Sequence, residues 1–148
     1  MRNTMVMLLL TLMVIVTGCS TKETVEHHYT YHGEDELWSA EYKIDASVTF
    51  FKVDGVLNVD TYKECILTVA YKKDISDLSK VKHLIISYDS STGGGSIDQQ
   101  FDNEPPTDTI YTLKSNSTGS AIESENEVIQ VTINIDDEVQ TIELTNTK

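Results

Sequence analysis

From Trp38 to Asp45 the chain alternates without fault: Trp38, Ala40, Tyr42 and Ile44 are apolar, Ser39, Glu41, Lys43 and Asp45 polar. A period of two is the signature of a strand with one wet and one buried face. The stretches "ECILTVAYKK", "KHLIISYD", "DTIYTLKS", "EVIQVTINI" and "EVQTIELT" read as further strands. In "SVTFFKVDGVLNV", Asp54-Gly55 is a hairpin turn signal, and the slipped alternation at Phe50-Phe51 suggests a bulge. Asp136-Asp137 joins the last two strands tightly, and "DISDLSKV" has room for one helical turn. No window of 12 or more residues carries an apolar stripe at helical spacing. Seven or eight short strands predict an antiparallel, immunoglobulin-like β-sandwich, with a small β-barrel as the alternative.

One segment breaks this pattern. Met5 to Val16, "MVMLLLTLMVIV", is apolar throughout and follows a start whose one basic residue is Arg2. Twelve helical residues span about 18 Å, too short for a hydrocarbon core of about 30 Å. A buried core helix would need a second helix beside it, and a charged start before a short apolar run has the layout of a secretory signal peptide. Val16-Thr17-Gly18-Cys19 resembles the lipobox of bacterial lipoproteins, in which the cysteine thiol takes a diacylglycerol and the chain is cut just before it. Thr17 and Gly18 are small enough for a peptidase site; ordinary secretion with cleavage nearby is the competing reading. Two or more acyl chains hold a protein stably on a membrane. The expected organisation is a signal-peptide helix over residues 1–18, a lipidated N-terminus and polar tether over 19–35, and one β domain over 36–148. That tether is expected to pass into a first edge segment; if flexible, some 15 residues reach about 20 Å and would lift the domain clear of the headgroups.

Loss of residues 1–18 removes Arg2 and no acid, taking the formal charge from -13 to -14. So acidic a chain lacks the clustered Lys and Arg that nucleic acid or anionic lipid would require. With Cys19 acylated, one thiol remains. Cys65 alternates with Leu67, Val69 and Tyr71, which predicts a buried structural cysteine with no local sign of activation.

"YHGEDELWSAEYKI" and, near the far end, "VIQVTINIDDEVQTIEL" are similar to a group of small, functionally uncharacterised lipoproteins of Gram-positive bacteria. There a G-E-S-x-x-W segment opens the first strand and a hydrophobic hairpin with a D-G-type turn closes the domain. This chain departs from that pattern at Asp35, where Ser is usual, and at Asp137, where Gly is usual. The resemblance implies anchoring and an all-β fold, and it implies no catalytic residues.

Several stretches carry residues capable of chemistry. His27, His28 and His32 stand beside Glu34, Asp35 and Glu36, but in an extended chain His28 and His32 lie about 13 Å apart, without zinc-site spacing. His83 falls in a strand and is expected at the surface. "SSTGGGSID" lacks the Lys and the helix of a phosphate-binding loop and reads as a flexible hairpin loop. Asp89, Asp98, Asp102, Glu104 and Asp108 surround it, without calcium-loop spacing and with only Ile97 and Phe101 as pocket walls. No G-x-S-x-G elbow is present, and Asn116-Ser117-Thr118 fits a glycosylation sequon, a reading that rarely applies in the bacterial cell that the lipobox resemblance implies.

Three function classes remain. The leading one is a lipid-anchored, extracytoplasmic binding or interaction module that meets an envelope protein or glycan. The second binds a metal or small ligand through the His segment or the acidic glycine-rich loop. The third is a carboxylate-dependent enzyme centred on Asp98, Asp102 and Glu104. The leading class needs no cofactor, no metal and no catalytic residue; its membrane partner is reached through lipid on Cys19.

Overall fold

The computed structural model describes residues 22–102 and 104–147, so the signal-peptide segment and Cys19 lie outside the described residues. Eight strands are found within them: β1 (Glu23–Glu34), β2 (Trp38–Val53), β3 (Val56–Tyr71), β4 (His83–Ser90), β5 (Gly93–Gln100), β6 (Ile110–Thr118), β7 (Val128–Ile135) and β8 (Glu138–Asn146). Every pairing is antiparallel, and together they make one sheet in the order β5-β4-β7-β8-β1-β2-β3-β6.

The all-β antiparallel expectation holds. The one sheet rolls until its edge strands β5 and β6 meet, giving a nearly closed, barrel-like form. No backbone ladder joins these edges; side chains do. A Cβ on Gly95 of β5 would fall 2.8 Å from Leu113 Cδ2 on β6 and 3.0 Å from the Tyr88 ring, so a larger residue would oblige the Leu113 side chain to shift at the seam.

The inward positions follow the alternation. Tyr31, Trp38, Tyr42, Ile44, Leu67, Val69, Leu84, Ile86, Ile129, Val131, Ile133 and Leu144 are all essentially inaccessible, and Trp38 faces inward with Tyr42 and Ile44 as expected. Cys65 is buried among them, also as expected. The β3–β4 connection contains one helical turn, a 3-10 turn at Ile75–Leu78 capped by Asp74, and sends Leu78 and Val81 into one end of the barrel. At the other end the β6–β7 connection bonds to β1, β2, β3, β8 and the β4–β5 turn and so covers the opening.

The two departures from the resembled group have local reasons. Asp35 Oδ1 accepts the N–H groups of Leu37 and Trp38, both at 2.7 Å, fixing the β1–β2 turn ahead of the tryptophan. Asp136 and Asp137 both take positive φ (49° and 72°), as a type I′ turn requires, and Asp136 also accepts the N–H of His83 at 2.8 Å.

Three expectations need correction. Residues 23–34, assigned to a polar tether, are strand β1, lying between β8 and β2. Its inward row is His27, Tyr29, Tyr31 and Gly33, an alternation disguised by amphipathic side chains. Gly33 in that row is obligatory, since a Cβ there would strike the Glu143 carbonyl of β8. No bulge occurs at Phe50-Phe51: Phe50 pairs with Val59 and Phe51 with Asn58 in unbroken register. Beyond Ala46 the strands leave the barrel, and with both faces wet the alternation is no longer enforced. The glycine-rich stretch is not a loop. Gly93 to Gln100 form β5, and only Ser91 and Thr92 turn.

Candidate functional site

Inside the covered end lies a polar cavity of about 150 Å³ at the seam, lined by Tyr42, Cys65, Tyr88, Gly93, Gly94 and Ser115 around Lys63 and Glu123. Lys63 takes its place by register. It shares the inward row of β3 with Cys65, Leu67 and Val69, and pairs across β2 with the equally inward Ala46. Glu123 arrives from the β6–β7 connection. Their side chains are 7% and 1% exposed, which makes this a buried ion pair.

The pair is fully clothed. Lys63 Nζ donates to Glu123 Oε2 at 3.0 Å and Oε1 at 3.2 Å, and to Thr92 Oγ1 at 2.6 Å. Thr92 Oγ1 donates its own hydrogen bond to Glu123 Oε1 at 2.5 Å, and Ser90 Oγ donates to the same oxygen at 3.0 Å. Tyr42 OH adds a longer bond at 3.3 Å. Burial by itself would raise the Glu123 carboxyl, but hydrogen bonds from Thr92 and Lys63 outweigh it and hold the group below its ordinary range. Burial pushes the Cys65 thiol up and the Tyr42 phenol far up, so both stay protonated at neutral pH.

Chemically this is a fixed dipole with hydroxyl groups around it, beneath glycines whose missing side chains leave the seam thin. Charged and hydroxyl-bearing groups at the end of a cavity suit recognition of a small polar group. A protonated thiol and a carboxylate already engaged by several donors are poorly placed as nucleophile or proton donor.

The residues singled out in the sequence do not converge here. His27 faces inward beside Tyr29 OH (3.1 Å), whereas His28 bonds outward to Asp45 (2.6 Å) and His32 to the Ala40 carbonyl (3.2 Å). His83 stands near the surface, its Nε2 2.7 Å from Asp98 across β4 and β5. Asp89, Asp102, Glu104 and Asp108 are exposed along a strand face and a connection, without a shared cavity. Among the described residues no three His, Cys, Asp or Glu side chains gather as metal ligands would. The Lys63–Glu123 pair escaped sequence reasoning. The parity of Lys63 with Cys65 and Leu67 was a usable signal for a buried lysine, while "GSAIESENE" marks Glu123 in no way. The chain matches no protein-family profile, no curated protein and no solved structure.

Proposed function

We propose that this protein is a lipid-anchored, extracytoplasmic binding module of the bacterial cell envelope, with the seam cavity as its recognition site for a small, hydroxyl-bearing polar group such as one unit of an envelope glycan. The observation that carries this reading is the complete ion pair, the two buried charged side chains among the described residues, in a barrel whose other buried side chains are aliphatic, aromatic or thiol-bearing. Burying two charges costs several kcal/mol per ion, and apolar replacements of similar volume are often neutral or stabilising. Stability therefore gives little reason for Lys63 and Glu123, and recognition gives one. Anchoring rests on the apolar run that ends at Cys19. The protonated state of Cys65 and the engaged state of Glu123 support a non-enzymatic role.

Two measurements test it. A palmitate analogue fed to cells should label the wild-type chain and not Cys19→Ser; label persisting on the variant removes the anchor. Titration of the purified protein with cell-wall glycan fragments should shift NMR signals of Thr92, Gly93 and Ser115. The same titration of the Lys63→Met/Glu123→Leu double variant should leave them still. Equal shifts in both proteins would refute the cavity as the site.

A further inference from the structure

The sheet is taller on one side than the barrel it forms. β8 pairs with β1 at Tyr31 and His32, and β6 leaves β3 at Tyr62, so beyond these points β1, β2 and β3 continue as a ribbon that has no strand on either flank among the described residues. Register places Val25, Val48, Phe50, Leu57 and Val59 on one face of this ribbon, and the Asp54-Gly55 turn is flanked by Val53 and Val56. Val53, Val56, Leu57 and Val59 are each at least 50% exposed. Such a group of exposed aliphatic side chains on one protrusion marks a contact surface.

Two features of the same protrusion say what it contacts. The first is charge: from Ser47 to Val59 one Lys and one Asp cancel, in a chain whose formal charge is -13. Residues 51–58 thus form a neutral, apolar tip on an acidic body, with Glu23, Glu26 and Asp60 at its base, and an anionic surface does not repel that tip. The second is chain length. Glu23 pairs with Phe50, and Cys19 lies only four residue steps before Glu23, a span of at most about 14 Å. The Asp54 turn stands four residues beyond Phe50 in the same direction, about 13 Å. A lipid on Cys19 and the hairpin tip therefore reach the same depth when the ribbon stands upright.

We propose that the β2–β3 hairpin tip is a second membrane contact, with Val53, Val56 and Leu57 seated in the interfacial layer beside the lipidated N-terminus. The proposal rests on the reading of Cys19 as the anchor. One acyl attachment point leaves a domain free to swing; a second contact fixes its orientation and turns the seam cavity to a constant side.

The test uses the full acylated chain, purified from membranes and reconstituted into vesicles of phosphatidylglycerol and phosphatidylethanolamine. An environment-sensitive fluorophore is placed on Val56→Cys and, separately, on Val139→Cys at the opposite end of the sheet; buried Cys65 stays unlabelled. Mass spectrometry of the same preparation reads the lipid on Cys19 independently. The expected result is lipid on Cys19, blue-shifted emission at position 56, and quenching there by nitroxide-bearing lipid several-fold stronger than at position 139. If Cys19 carries lipid but position 56 is quenched by aqueous iodide as readily as position 139, the anchor stands and the membrane contact is overturned. Shielding of position 56 from both quenchers, unchanged when detergent dissolves the vesicles, would assign the tip to a second copy of the chain and also overturn it. Absence of lipid on Cys19 would overturn both readings.

Discussion

The barrel is stoppered at both ends, by opposite means. At one end the Trp38 ring packs against Tyr71 (centroids 4.9 Å apart) and Tyr111 (6.2 Å), with Leu78 and Val81 filling the space beneath. Even the polar atom there, Trp38 Nε1, is buried without a hydrogen-bond partner. At the other end the stopper is Lys63 and Glu123, each charge met by several donors or acceptors. The dry stopper stabilises in proportion to apolar area removed from water. The charged one stabilises only while complete, because each half is costly to bury without the other. One chain thus holds an end whose stabilisation is graded with buried area and an end whose stabilisation is all-or-none.

The comparison breaks most forcefully at the dry end. Trp38→Ala should cost about 3 to 5 kcal/mol, read from urea unfolding curves; a loss under about 1 kcal/mol would mean the aromatic stopper is not packed. Next comes Glu123→Leu, which strands Lys63 and should cost about 3 kcal/mol in the same assay. Acid should then separate the ends. Since Glu123 is depressed below its ordinary 4.5, the pair contributes fully above that value and fades as pH falls through the folded value. Stability followed downward from pH 6 should fall more steeply for wild type than for Glu123→Gln, and parallel curves would show that Glu123 is not the group responsible. The double variant Lys63→Met/Glu123→Leu should return to within about 1 kcal/mol of wild type, because no unpaired charge remains. A double variant as unstable as the single one would make the pair structural and weaken the case for recognition. The smallest effect belongs to Val56→Ser on the free ribbon, within about 0.5 kcal/mol, since an exposed side chain far from the core carries little stability.

These ends were not equally legible in the sequence. The dry end was: the alternation from Trp38 to Ile44 demands one buried face, and Asp54-Gly55 and Asp136-Asp137 are residue pairs that accept the positive φ of tight hairpins. β1 was obscured because its inward row uses His27, Tyr29 and Tyr31, residues that composition groups with a polar tether although their rings pack well. Phe50-Phe51 misled for the converse reason: period two is enforced by burial, and these residues lie where burial ends. The charged end depends on two residues 60 positions apart, brought together by the curl of the sheet. Nothing local encodes such a meeting, which is why the acidic loops drew attention and Glu123 did not.

The place of β1 between β2 and β8 sets an order of events during synthesis. Its inner edge can zip to β2 as soon as the next twenty or so residues exist, a local pairing that forms quickly. Its outer edge must wait for the strand that ends at Asn146, just before Thr147 binds the Thr30 carbonyl across 117 residues of sequence. At about 5 to 20 residues per second that wait lasts about 6 to 23 s, during which the Tyr31–His32 part of the edge, which β8 later covers, stands open together with the ribbon part that stays unpaired. The first strand made is the last to be finished, and the interval between is when this chain most needs to be kept from its own copies.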